Sequence, residues 1–87
     1  MTVKVRLPRI LDQAVREGLR HEVKGDDVRE VLQGLFAKEP GVRNHLIDED
    51  GRIRTHVLVF VDGERANLST RVSDGAEVQV LQAVSGG

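Results

Sequence analysis

At 87 residues, 39% of them hydrophobic and 31% charged, the chain has room for one domain near the lower limit of a self-sufficient core, with the composition of an ordinary globular protein. A formal net charge of -1 supplies no basic field for nucleic acid or an anionic membrane, and two Phe without Tyr or Trp leave no platform for stacking single-stranded bases. The absence of Cys removes disulfides, thiolate metal sites and cysteine nucleophiles together.

The opening segment TVKVRL sets Val3, Val5 and Leu7 against Thr2, Lys4 and Arg6, the period of two of a strand with one buried face, and Pro8 ends it. Lys4, Arg6 and Arg9 interrupt any signal-peptide core, and the longest apolar run, Val57 to Val61, is far too short to span a bilayer. The chain therefore reads as soluble, untargeted and cytoplasmic. RILDQAVREG carries no clear period. LRHEVK then alternates Leu19, His21 and Val23 with Arg20, Glu22 and Lys24, which predicts a second strand.

In GDDVREVLQGLFAKEPG the period changes. Val28, Val31, Leu32, Leu35 and Phe36 fall at i, i+3, i+4, i+7 and i+8, one apolar stripe on a helix. Asp26 or Asp27 can cap its start, Asp27 with Glu30 has capping-box spacing, Lys38 suits its negative end, and Pro40-Gly41 stops it. Gly34 costs about 1 kcal/mol relative to Ala inside a helix, so it marks a place of close packing on the sheet.

VRNHLIDEDGRI reads as an irregular connection or a short helical turn. RTHVLVFVDG puts Val57, Val59 and Val61 on one face and Leu58 and Phe60 on the other, as in a central strand covered on both sides. Asp62-Gly63 signals a tight turn. ERANLSTRVSDG is a loop or edge segment with a second Asp-Gly turn, and EVQVLQAV is the last strand. Strand, strand, helix, strand and final strand is the order of an α+β domain with one helix across one sheet face.

Little in the chain points to catalysis. His21, His45 and His56 are too scattered for a ligand pair and no Cys completes a zinc set. In DEDG, placing Gly51 at position six of a calcium loop puts Leu46 where a carboxylate is needed. There is no glycine-rich phosphate cradle and no defensible Ser, His and Asp triad. Asp26, Asp27, Asp48, Glu49 and Asp50 serve as caps and turns. No metal or cofactor, ATP included, is expected to bind this chain, and it is not expected to be an enzyme.

The sequence ends QAVSGG. A terminal Gly-Gly is weak evidence alone, with a chance expectation of about 1 in 200 at average glycine usage. Together with the element order and with VSDGAEVQVLQAVSGG and DEDGRIRTHVLVFVDGE, however, the chain resembles the ubiquitin-like β-grasp sulfur carriers. These include the molybdopterin synthase small subunit, the thiamine-pathway carrier and a carrier of cysteine biosynthesis. The look of the third-strand segment is nearest the cysteine-pathway type. Molybdopterin-type members usually carry Pro-Pro shortly before the diglycine, where this chain has Gln82 and Ala83.

The resemblance implies a β-grasp domain over residues 1–82, with a mixed sheet of about four to five strands and one main helix, and a flexible tail over residues 83–87. It implies that Gly87 is adenylated by an ATP-dependent partner, an activating enzyme of the adenylating and sulfurtransferase type. Gly87 then becomes a thiocarboxylate that donates sulfur to a downstream synthase making cysteine or another sulfur metabolite. Gly86, Ser85 and Val84 would thread into the partner. Glycine suits this because it lacks Cβ, and an extended tail from Ala83 reaches roughly 15 Å at about 3.3 Å per residue. The same activated Gly87 would also serve a protein modifier joined to lysine, or a molybdopterin synthase small subunit.

One surface is expected to dock partners. If Val78 and Val80 face the helix, Glu77, Gln79 and Leu81 face away, with Leu58 and Phe60 as neighbours. Leu81 is then an apolar residue on a polar face, and such patches often mark partner sites.

Overall fold

Val3 and Val5 are 0% and 1% exposed while their neighbours face solvent, and this alternation defines β1, Thr2–Arg6. The computed structural model describes residues 1–83. Pro8, at φ -73° and ψ 152°, turns the chain out of β1 into a 3-10 helix, Arg9–Ala14, in the segment without a clear period. Only Leu11 of that helix is buried, which is why no apolar pattern announces it. β2, Arg20–Lys24, returns antiparallel to β1.

Helix α1 spans Val28–Lys38 and buries Val28, Val31, Leu32 and Leu35. The expected N-terminal signals are both used, with one shift: Asp27 Oδ1 accepts the Glu30 amide at 2.9 Å, whereas Glu30 Oε1 accepts the amide of Asp26, at 2.9 Å, rather than that of Asp27. A Cβ built on Gly34 would lie 3.5 Å from Val23 Cβ. The helix therefore packs closely on β2, as expected, but in ordinary van der Waals contact that leaves space for a methyl group. Gly25 is the tighter position, where a Cβ would fall 2.8 Å from the Val31 amide nitrogen.

The connection after α1 takes the second of the two forms expected of it, a short helical turn. A 3-10 turn at Pro40–Val42 leads into the short helix α2, Arg43–Leu46. The DEDG stretch is the expected turn. Asp48 Oδ1 accepts the amides of Asp50 at 2.9 Å and Arg52 at 3.0 Å, and the Arg52 amide chiefly holds the Asp48 carboxyl below its ordinary value.

β3, Val57–Val61, is followed by Asp62 and Gly63 at φ 49° and 86°. Both central residues in the left-handed region make the tight turn that Asp-Gly favours. It delivers β4, Glu64–Ala66, an edge strand inside the segment read as loop or edge. β5 is Glu77–Gln82; the reading that carries it on through Val84 ends outside the described residues.

The five strands form one mixed sheet in the order β2-β1-β5-β3-β4. β5 lies in the centre, parallel to β1 and antiparallel to β3. Its inward residues Val78 and Val80 are 0% and 1% exposed. They join Val3, Val5, Val57 and Val59 in one core with the α1 stripe. Each such fully buried side chain contributes about 1.5–3 kcal/mol of transfer free energy. Among the described residues no helix lies against the opposite sheet face, so β3, expected to be covered on both sides, buries only its Val57 and Val59 side fully.

Candidate functional site

β5 carries both the outward side chains of the open face and the backbone that continues into the last residues. Its register determines both. Leu81 stands directly opposite Leu58, and Gln79 opposite Phe60. Leu58, Phe60 and Leu81 are half-buried, by one another and by their strand neighbours, and sit outside the core cluster. The structure thus brings together on one face the three residues singled out in the sequence.

A polar rim borders this patch. Across β5, Arg6 of β1 pairs in register with Gln79, and on the next strand Arg20 stands opposite Arg6. Across β3, Arg65 of β4 stands opposite Phe60. Arg6 forms an ion pair with Glu77 at 3.6 Å, each side chain 44% exposed, a geometry worth roughly 0–1 kcal/mol and easily exchanged for a partner's groups. A 460 Å³ depression lined by Lys4, Arg6, Arg20, Glu22 and Glu77, among others, continues the face over β1 and β2. The three arginines of the rim were not picked out in the sequence. Strand alternation could have placed Arg6 and Arg20, which are polar positions of their strands, but only the sheet order sets Arg6 beside β5 with Arg20 and Arg65 one strand further out on either side.

Gln82 pairs with Val57, and the Ala83 amide donates to the His56 carbonyl at 2.7 Å. The last described residue is therefore still tied to the backbone just before β3, two positions beyond the Leu58–Leu81 pair. At its other end β5 is anchored by two turns. Asp62 Oδ1 accepts the Glu77 amide at 2.9 Å, and the Asp62 amide donates to the Glu77 carbonyl at 2.9 Å. Asp74 Oδ1 accepts the Thr2 amide at 2.9 Å, and the Gly75 amide donates to the Thr2 carbonyl at 2.7 Å. Val84, Ser85, Gly86 and Gly87, the residues expected to carry the chemistry, lie outside the described residues.

One buried polar pair was not anticipated. His21, expected to be an ordinary strand residue, points inward from β2, and its side chain is 4% exposed. Its Nε2 lies 3.0 Å from Glu39 Oε2 and 2.8 Å from the Gly18 carbonyl oxygen. Both neighbours are acceptors, so Nε2 carries the proton. Glu39, just beyond α1 and 0% exposed, also accepts the amides of Arg16 at 2.6 Å and Glu17 at 2.8 Å. Burial pushes its carboxyl up, but the two amides and His21 outweigh burial and hold it below the ordinary glutamate value. The pair ties the connection between the first 3-10 helix and β2 to the end of α1. It lies on the core side of the sheet, so its role is to hold the scaffold. The signal in the sequence was His21 itself, at an inward strand position where an imidazole needs a partner.

Among the described residues, no group of three His, Asp or Glu is arranged to hold a metal ion, and no helix is long and apolar enough to cross a membrane.

A family model described as the ThiS family matches residues 5–87. The sequence is 30% identical over 93 aligned residues, covering 100% of both chains, to the sulfur carrier protein CysO of Mycobacterium tuberculosis. It is 31% identical over 70 residues, 79% of this chain and 80% of the relative, to small archaeal modifier protein 1 of Haloferax volcanii. In the crystal structure of the Amycolatopsis orientalis BexX/CysO complex, one chain is similar with a TM-score of 0.87 and 28% identity, covering 98% of this chain and 99% of that one.

Proposed function

The chain belongs to the ThiS family of ubiquitin-like β-grasp sulfur carriers, and from that premise we propose that it carries sulfur as a thiocarboxylate on Gly87. A Gly87 carboxylate oxygen attacks the α-phosphorus of ATP held by an activating enzyme, and pyrophosphate leaves. Hydrosulfide then attacks the acyl carbon and AMP leaves. The resulting thiocarboxylate delivers its sulfur to a synthase, with cysteine or another small thiolated metabolite as the product. The protein is the substrate and carrier in this scheme and catalyses none of its steps. We propose the cytoplasm as its location, where ATP for the activating enzyme is available.

The observation that carries this reading is the position of Ala83. Its amide donates a hydrogen bond to the His56 carbonyl, so the last described residue is held two positions beyond Leu81 of the Leu58, Phe60 and Leu81 patch. A partner docked on the open face is then correctly placed to receive Gly86 and Gly87, with Val84 and Ser85 lining its entry channel. The complex named in the BexX/CysO structure supports recognition of such a carrier by a partner protein. ATP–pyrophosphate exchange tests the first step. A candidate activating enzyme should exchange label only when this chain is present, and exchange should vanish when Gly87 is deleted.

A second reading has its own support in the 31% identity to small archaeal modifier protein 1. A lysine amine of a target protein, in place of sulfide, would attack the same acyl-adenylate and form an isopeptide bond as AMP leaves. Lysine-linked species of higher mass in cell extract would favour it, and a single monodisperse thiocarboxylate would favour the carrier.

A further inference from the structure

On the helical side, away from the open sheet face, two adjoining grooves of 320 and 120 Å³ share Arg29 and Leu68 in their walls. The first adds Arg52 and Ile53, and the second adds Phe36 and Arg43. The backbone holds them together: the Arg29 amide at the start of α1 donates to the Leu68 carbonyl at 3.0 Å. Leu68, Ile53 and Phe36 are half-buried and form an apolar floor, while Arg29, Arg43 and Arg52 are exposed around it.

Among the described residues no carboxylate lines either groove. Among the described residues, none of the three guanidinium groups makes an ion pair or a hydrogen bond, in contrast to Arg54, whose Nε donates to the Asn44 carbonyl. Asp48 lies within electrostatic reach of Arg52, but its Oδ1 is engaged by the Asp50 and Arg52 amides. Glu30 is likewise occupied by the Asp26 amide. In a chain of net charge -1, this is a local concentration of cationic forks with open donors around apolar surface. Arginine in that state matches carboxylates, which it can bind through two parallel hydrogen bonds.

We infer that this groove docks an acidic segment of a partner protein, with an apolar side chain on the Leu68, Ile53 and Phe36 floor and carboxylates on Arg29, Arg43 and Arg52. Because the groove is on the helical side, it stays accessible while the open face is occupied. One carrier can therefore be held by two proteins at once, the second anchored away from the tail. The inference rests on the groove alone and holds whether Gly87 carries sulfur or is joined to lysine.

The test is a titration of the uniformly 15N-labelled full chain with the peptide acetyl-Asp-Glu-Leu-Phe-Glu-Asp-amide. Amide shifts should concentrate at Arg29, Arg52, Ile53 and Leu68, and a tenfold rise in salt should weaken binding by about tenfold or more, since exposed charge pairs are screened. Reversing the three charges together (Arg29→Glu, Arg43→Glu, Arg52→Glu) should abolish the shifts while leaving the amide spectrum of the open face unchanged. The single variant Arg43→Glu should weaken binding by several-fold and keeps the test available if the triple variant is unstable. Three results would overturn the inference: no shift at saturating peptide, shifts confined to Leu58, Phe60 and Leu81, or equal binding of the Asn and Gln version of the peptide. Inorganic phosphate that reproduced the shifts and displaced the peptide at equal concentration would also overturn it, by showing a general anion site.

Discussion

Leu81 of β5 lies directly opposite Leu58 of β3, outside the core cluster and one residue before the end of the strand at Gln82. Replacing Leu81 with Glu should raise the KM of the activating enzyme for this chain by about tenfold, equivalent to about 1.4 kcal/mol, and should shift the thermal midpoint by no more than about 2 °C. Kinetics of adenylation and a thermal melt on the same preparation decide the matter. A melt lowered by ten degrees or so would mean that Leu81 supports the core rather than a partner.

Gly86→Val should block thiocarboxylate formation while leaving the melt and open-face docking intact. A β-branched side chain adds bulk to a segment that, on the proposed function, threads a partner's channel. The measurement is competition: the variant should still inhibit adenylation of the wild-type chain. A variant that is processed at the wild-type rate would show that no such channel closes around the tail.

The Glu39 and His21 pair makes a prediction about acid stability. The folded state holds the Glu39 carboxyl below its ordinary value of 4.5, so the charged form is favoured by folding. The resulting stability is present above the ordinary glutamate pKa and is lost as pH falls below it through the lowered folded-state value. Glu39→Gln places an amide donor where the Arg16 and Glu17 amides or His21 donate, and should cost about 3 kcal/mol near neutrality. Denaturant melts at a series of pH values should show the gap between wild type and variant narrowing toward low pH. A gap independent of pH below neutrality would remove the carboxylate's charge from the explanation.

Two glycines should respond in opposite directions. Gly34→Ala adds a methyl group at ordinary contact distance from Val23 and should stabilise the fold by about 0.5–1 kcal/mol through helix propensity. Gly25→Ala drives a methyl group to 2.8 Å from the Val31 nitrogen and 2.9 Å from its Cγ2, and should cost about 1–3 kcal/mol. Chemical denaturation of both variants checks the pair, and a loss at position 34 would reveal a closer approach of α1 to β2 than the structure has.

These residues also show what could be read without coordinates. Helix α1 was legible because its apolar stripe, its Asp27 cap and its Pro40-Gly41 stop are all local signals. The membership of Leu58, Phe60 and Leu81 in one face followed from strand alternation, given that Val78 and Val80 turn inward. The first 3-10 helix was not legible, since a single buried residue, Leu11, has no period. Nor was the central place of β5: Lys4 pairs with Glu77 across most of the chain's length, and only family resemblance anticipated such a fold. Glu39 drew no reading of its own in the sequence, because its partners, the Arg16 and Glu17 amides, lie 23 and 22 residues away.

The central claim is that Gly87 bears a transferable sulfur, and alkylation after activation tests it most directly. The protein is incubated with ATP, sulfide and the activating enzyme, treated with a thiol-alkylating reagent, and weighed intact. Exchange of oxygen for sulfur alone nearly matches oxidation of Met1, but the chain has no Cys, so only a thiocarboxylate should take the alkyl label. The account predicts one label per chain, located on Gly87 by fragmentation and absent when Gly87 is deleted. An unlabelled chain, with an activating enzyme that demonstrably forms the acyl-adenylate on it, would contradict the sulfur-carrier function.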